Sequence, residues 1–142
     1  MLIVQGQTTL FKANILSGLE NFTLSSPYTY KIALYNANAN LNNTTTAYTS
    51  VNESTGSGYT AGGQILTISN PPTQDTANNI AFISFNNVIW TGSITARGAL
   101  VYNSTTGAAC FILNFGNDIT SSNTFTVTFP TATSTSAVLT IS

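Results

Sequence analysis

The chain has 142 residues, a length that suits one domain able to bury a core without disulfides or a metal. Three Lys/Arg and four Asp/Glu residues leave a formal net charge of −1, and there is no histidine. This balance excludes a basic surface for nucleic acid or an anionic membrane, and it excludes a Ser-His-Asp or Cys-His catalytic set within one chain.

A surface with so little charge also lacks a common defence against self-association, which fits a subunit of an assembly better than a free monomer. No apolar run approaches the roughly 20 residues that span a bilayer, and "MLIV" is too short for a signal-peptide core, so folding in a cytoplasm is expected. "MLIV" reads either as the first strand of the fold or as an arm, in which Leu2, Ile3 and Val4 are candidate subunit contacts.

Residues 7–19, "QTTLFKANILSGL", form the one expected helix, with Leu10, Ile15 and Leu19 near helical spacing. Thr8 or Thr9 is the expected cap, and Gly18 loosens the end. From Tyr28 the pattern turns to strand, and "YTYKIALY" places Tyr28, Tyr30, Ile32 and Leu34 on one face. A long polar loop with little to pack is expected next, followed by the short strand "QILTIS", stopped by Asn70, Pro71 and Pro72. "IAFISFNNVIW" is apolar on both parities and reads as a strand buried on both faces.

"SITARGALVYN" and "GAACFILNF" read as a hairpin around "NSTTG", with Asn103 and Gly107 suited to positive φ. "NTFTVTF" alternates, with Phe125, Val127 and Phe129 inward, and "SAVLTIS" closes the series. About seven or eight strands at short spacing, after one short helix, predict a mainly β protein: a single antiparallel β-sandwich over residues 1–142.

The glycine-rich stretch 53–63, "ESTGSGYTAGG", contains Gly56-Ser-Gly58-Tyr-Thr-Ala61, which matches a dinucleotide fingerprint. The surroundings do not support it. A phosphate loop needs a strand before it and a helix after it, whereas "GGQILTISNPP" opens on glycines and ends on prolines. Gly56, Gly58, Gly62 and Gly63 therefore read as turn glycines, with Tyr59 anchoring the loop on a sheet edge.

No catalytic, cofactor or metal residues are assigned. Glu53, Asp75 and Asp118 sit in apparent loops as solvated acids, and a two-carboxylate glycosidase is the residual enzymatic reading. Cys110 reads as a small apolar core residue. Trp90 reads as core, with a sugar-stacking platform as the alternative. Arg97 reads either as an ion pair across a subunit contact, with Glu53 or Asp118 as partner, or as an intradomain pair or a snorkelling edge residue.

Four stretches taken together, "YKIALYNANANLN", "TTTAYTSVNESTGSGYTAGGQILT", "ITARGALVYNSTTG" and "NFGNDITSSNTFTVTFP", resemble a group of small tailed-bacteriophage virion proteins. They cover most of the chain from Lys31 to Pro130. The sequence departs from the group at Asn86 and Asn87, where acids would be expected. The resemblance implies a capsid decoration, or cement, protein with no catalytic residues. It would be a homotrimer that binds the major capsid protein in the virion. A tail or head-fibre accessory module that touches the host surface is the alternative.

Overall fold

Thr8 begins the helix α1, Thr9–Leu16, in a computed structural model that describes residues 2–142. The Thr8 side chain accepts a hydrogen bond from the Phe11 amide at 3.0 Å, which is the N-cap interaction expected of a threonine in extended conformation. The helix stops at Ser17, short of the expected Leu19, because Gly18 turns the chain at φ +73.

The remaining elements are strands: β1 (Gly6–Gln7), β2 (Tyr30–Tyr35), β3 (Gln64–Ile65), β4 (Ile68–Asp75), β5 (Ile80–Phe85), β6 (Val88–Thr91), β7 (Thr95–Asn103), β8 (Ala109–Thr120), β9 (Thr124–Val127) and β10 (Leu139–Ile141). The protein is thus mainly β with one short helix, as expected, although the described residues hold ten strands rather than seven or eight. They form a five-stranded sheet, β1-β8-β7-β2-β3, a three-stranded sheet, β10-β5-β4, and a two-stranded one, β6-β9. Every strand pairing is antiparallel.

The main core lies between the five-stranded sheet and the other elements. Phe11 of α1, Phe85 of β5, Trp90 of β6, Phe125 of β9 and Leu139 of β10 meet Tyr30, Ile32 and Leu34 of β2 there. Rings pack edge to face or stacked, as between Phe22 and Tyr30 with centroids 4.4 Å apart. The inward set Phe125, Val127 and Phe129 is buried as the alternation predicts.

A second, smaller core covers the opposite face of the same sheet. Ala33 and Tyr35 of β2, Leu100 and Tyr102 of β7 and Ile112 of β8 pack there against Ile3, Ala39 and Leu41. The long polar segment 36–63 is therefore not a loose loop. It lies over the sheet, with bridges Ala47↔Ala108, Tyr35↔Glu53 and Gly56↔Ile94 stitching it down. Tyr48 stacks on Tyr102 at 4.7 Å. Both faces of β2 are consequently buried, and the pattern Tyr30-Ile32-Leu34 is only half of its packing.

Three further expectations change. The strand expected to stop at Asn70 continues through Pro71 and Pro72 to Asp75. It can do so because β4 is an edge strand whose register jumps between Ile68 and Asn70 and again between Asn70 and Thr73, so the prolines break no regular ladder. "IAFISFNNVIW" is two strands, not one: Asn86 donates to Thr67 O at 2.9 Å and the Asn87 side chain accepts from the Phe129 amide at 2.9 Å. The chain changes sheets there, and Ala81 and Ile89 face outward. In the "NSTTG" turn Gly107 takes φ +83, but Asn103 does not adopt positive φ; its side chain accepts the amides of Thr105 and Thr106 instead.

The abundance of asparagine has a local explanation in such bonds. Asn21, Asn36, Asn42, Asn103 and Asn114 each accept, through Oδ1, the amide two residues on. These Asx turns fix irregular backbone without charge.

Candidate functional site

The glycine-rich stretch 53–63 forms a polar cluster at the edge of the five-stranded sheet. Glu53, expected as a solvated loop acid, is only 7% exposed. Its position is set by β2: Ser54 donates to Leu34 O at 2.8 Å, and the bridge with Tyr35 turns the carboxylate inward. Its Oε2 accepts from the Tyr48 hydroxyl at 2.6 Å. Its Oε1 accepts from the Tyr59 hydroxyl at 2.6 Å and from the Gly62 amide at 2.7 Å. Three charge-assisted bonds of this kind satisfy a buried carboxylate without a cation.

The Tyr59 hydroxyl also accepts the Leu34 amide at 2.9 Å, so Tyr59 does anchor the loop to the sheet edge. Burial pushes the Tyr59 hydroxyl well above the ordinary tyrosine range, and its bond to Glu53 adds to that. Tyr48 shifts the same way for the same reasons. Both remain neutral donors.

The glycines turn the chain rather than hold a ligand. Gly58 and Gly63 take φ +83 and +76, and a Cβ on either would collide with a backbone carbonyl, that of Thr91 or Ile32. Gly56 faces Ser93 O in the same way. The backbone 56–58 lies against 91–93, and no helix follows. Gly62, at φ +95, has more room, but its amide is already bound by Glu53 and its carbonyl accepts the Tyr102 hydroxyl at 2.7 Å. With β3 rather than a helix after it, the turn has no helix N-terminus to aim amides at a phosphate.

The other candidate residues separate. Arg97 on β7 bonds Asp118 on β8 through Nε at 2.9 Å, so its pair lies within the domain and does not involve Glu53. Ile3 bridges to Leu41 in parallel and is buried in the second core, while Leu2 and Val4 stay exposed. Ile3 thus packs on its own chain, ahead of β1; Met1 lies outside the described residues. Trp90 is buried, with Tyr59 6.1 Å away and Phe125 6.2 Å away, and offers no exposed stacking platform.

Glu20, between α1 and β2, is the acid whose environment the sequence gives least sign of. Its Oε2 accepts from the Tyr30 hydroxyl at 2.8 Å, and its Oε1 is buried without a hydrogen-bond partner. Desolvation by burial raises its pKa above the ordinary carboxyl value. Cys110 is the extra residue in a bulge, since Val101 pairs Phe111 and Tyr102 pairs Ala109. It points into the core near Glu20, where burial pushes the thiol far above its usual range and away from nucleophilic reactivity.

Asp75 caps its own turn through Asn78, at 2.7 Å, which lowers its pKa. Among the described residues no group of three or more His, Cys, Asp or Glu could hold a metal ion. No helix among them is long and apolar enough to cross a membrane. No family model, curated protein or solved structure matches the chain.

Proposed function

We propose that this protein is a bacteriophage structural virion subunit, a capsid decoration (cement) protein that binds and stabilises the lattice of the major capsid protein. The mechanism is binding alone, and the protein acts in the virion as one copy among many. The observation that carries this reading is the segment 36–63. Its first part, through Ala39, Leu41 and Tyr48, packs over the five-stranded sheet, its second part is tied to the sheet edge through Tyr59, and its sole charged side chain, Glu53, is buried.

A face built this way presents amides and hydroxyls held in place by Asx turns and backbone bridges. It can hydrogen-bond along a neighbour with little desolvation cost, because no charge has to leave water. Each contact is weak, and symmetry multiplies it across a shell. The resemblance of the sequence to small phage virion proteins points the same way.

The tail or head-fibre reading would use exposed rings for host glycans. Trp90 is buried, and Tyr59 and Tyr48 are tied to Glu53, so these three residues do not supply such a platform. Quantitative mass spectrometry of purified virions tests the proposal. A decoration protein is present at on the order of hundreds of copies per particle. A handful of copies would support the tail reading instead, and absence from particles would end both.

A further inference from the structure

Between α1 and β2 the chain has no regular structure, and Thr23, Leu24, Ser25 and Pro27 are exposed. Gly18, at φ +73 with open space around it, begins this stretch. Phe22 is its one fully packed side chain; it stacks on Tyr30 and meets Phe11 and Phe85 edge on.

Among the described residues, 18–27 bond beyond themselves and α1 at two neighbours, Glu20 and Asn21. The Asn21 amide donates to the Tyr30 hydroxyl at 2.9 Å, and that hydroxyl donates to Glu20 Oε2 at 2.8 Å. Oε2 also accepts from Asn103 Nδ2 at 3.5 Å and from the Cys110 thiol at 3.7 Å. All of these donors serve one oxygen, and Oε1 is buried with no partner. A buried carboxyl left half unsatisfied tolerates its neutral form far better than its charged one.

No charge nearby offsets that preference. Glu20 is faced by Tyr30 of β2, Asn103 of β7, Cys110 of β8 and Asn14 of α1. Burial keeps the tyrosine and the thiol protonated well past neutral pH. Lys12, the one charged residue of α1, makes no ion pair with Glu20.

We propose that residues 18–27 are a pH-sensitive strap, latched onto Tyr30 by neutral Glu20 and released when Glu20 ionises. The strap forms one wall of a cavity of about 420 Å³, through Gly18, Glu20, Asn21, Phe22 and Thr23, so its release opens that cavity at the side. Segments held by few buried contacts are those that open locally while the rest of a fold stays closed. The strap is independent of the virion assignment.

Hydrogen exchange of the full chain, read by mass spectrometry as protection factors from about pH 4 to about pH 8, tests this. Burial raises the folded pKa above 4.5, so opening of the strap grows about tenfold per pH unit above that value and levels off past the folded pKa. Peptides of the β7–β8 hairpin stay protected over the same range. Glu20→Gln keeps an acceptor for Tyr30 and removes the titration, so strap protection becomes independent of pH. Tyr30→Phe keeps the ring stack but unties both bonds, and the strap opens more at every pH. The proposal is overturned if wild-type strap protection does not change with pH, if the hairpin loses protection in step with the strap, or if Glu20→Gln keeps the wild-type profile. The first two outcomes need no variant to fold.

Discussion

At the scale of single residues, the sharpest contrast is between two glycines with similar φ. Gly63 and Gly107 take φ +76 and +83, but only Gly63 has a carbonyl, that of Ile32, where a Cβ would sit. Gly107→Ala should cost about 1–2 kcal/mol, the penalty of the left-handed conformation alone. Gly63→Ala adds a backbone collision and should cost about 4 kcal/mol or prevent folding. Urea unfolding midpoints of the two variants check this; equal losses would show that space at residue 63 is irrelevant.

The Glu53 cluster gives a second test at this scale. Tyr59→Phe strands the Leu34 amide and removes one donor from the carboxylate, at a cost of about 1–3 kcal/mol. Glu53→Ala leaves the Tyr48 and Tyr59 hydroxyls and the Gly62 amide without their acceptor, and its loss should exceed that of Tyr59→Phe in the same unfolding experiment.

Glu20 sets a pH dependence of opposite sense to that of an ordinary salt-bridged acid. Its folded pKa is raised above the model-compound value of 4.5, so the folded chain holds the proton more tightly. Its contribution is fully present below that value and is lost as pH rises through the folded pKa. Glu20→Gln should therefore flatten the fall in stability on the alkaline side of pH 4.5, measured as unfolding free energy against pH. An unchanged slope would show that the carboxyl is solvated in the folded state.

At the scale of elements, the N-terminal segment shows how little a local pattern says about destination. Leu2, Ile3 and Val4 are equally apolar, yet Ile3 alone is buried, because the parallel bridge to Leu41 turns alternate residues in and out. Ile3→Ala should lower the stability of the isolated chain by about 2–4 kcal/mol, the range for truncating a buried aliphatic side chain. If residues 2–4 instead served a neighbouring subunit, thermal unfolding of the dilute protein would not change.

The prolines of β4 carry a similar lesson. Pro71 and Pro72 correctly signal a break in hydrogen bonding, but on an edge strand the break appears as two register shifts rather than a strand end. From the sequence, the edge position of β4 is invisible, since it depends on β10 and β5 having already paired. The same holds for the split at Asn86–Asn87, where two asparagines tie a change of sheet to Thr67 and Phe129.

At the scale of the whole molecule, the strand order β1-β8-β7-β2-β3 joins the first strands to the eighth and seventh. Apart from the β7–β8 hairpin, its pairings β1–β8, β7–β2 and β2–β3 close long stretches of chain, and loop closure must precede the contacts that reward it. Refolding should accordingly fall in the millisecond-to-second range typical of all-β domains, rather than the microseconds of helical bundles. Stopped-flow fluorescence of buried Trp90 can follow it.

The sequence by itself determined the class of the protein and much of its inward-facing set. Antiparallel strands, one capped helix at Thr8, the alternation of Phe125, Val127 and Phe129, and the turn role of the glycines all follow from local rules, because the period and the backbone preference are properties of a few neighbouring residues. The tertiary structure decided what those rules cannot reach. It folded Ala39, Leu41 and Tyr48 of segment 36–63 onto the far face of the sheet and buried Glu53 beneath tyrosines 5 residues before it and 6 after. It paired Arg97 with Asp118 and set the Glu20 carboxylate against the Tyr30 hydroxyl. A polar residue's environment depends on which distant strand arrives beside it, and nothing in its own neighbourhood records that arrival.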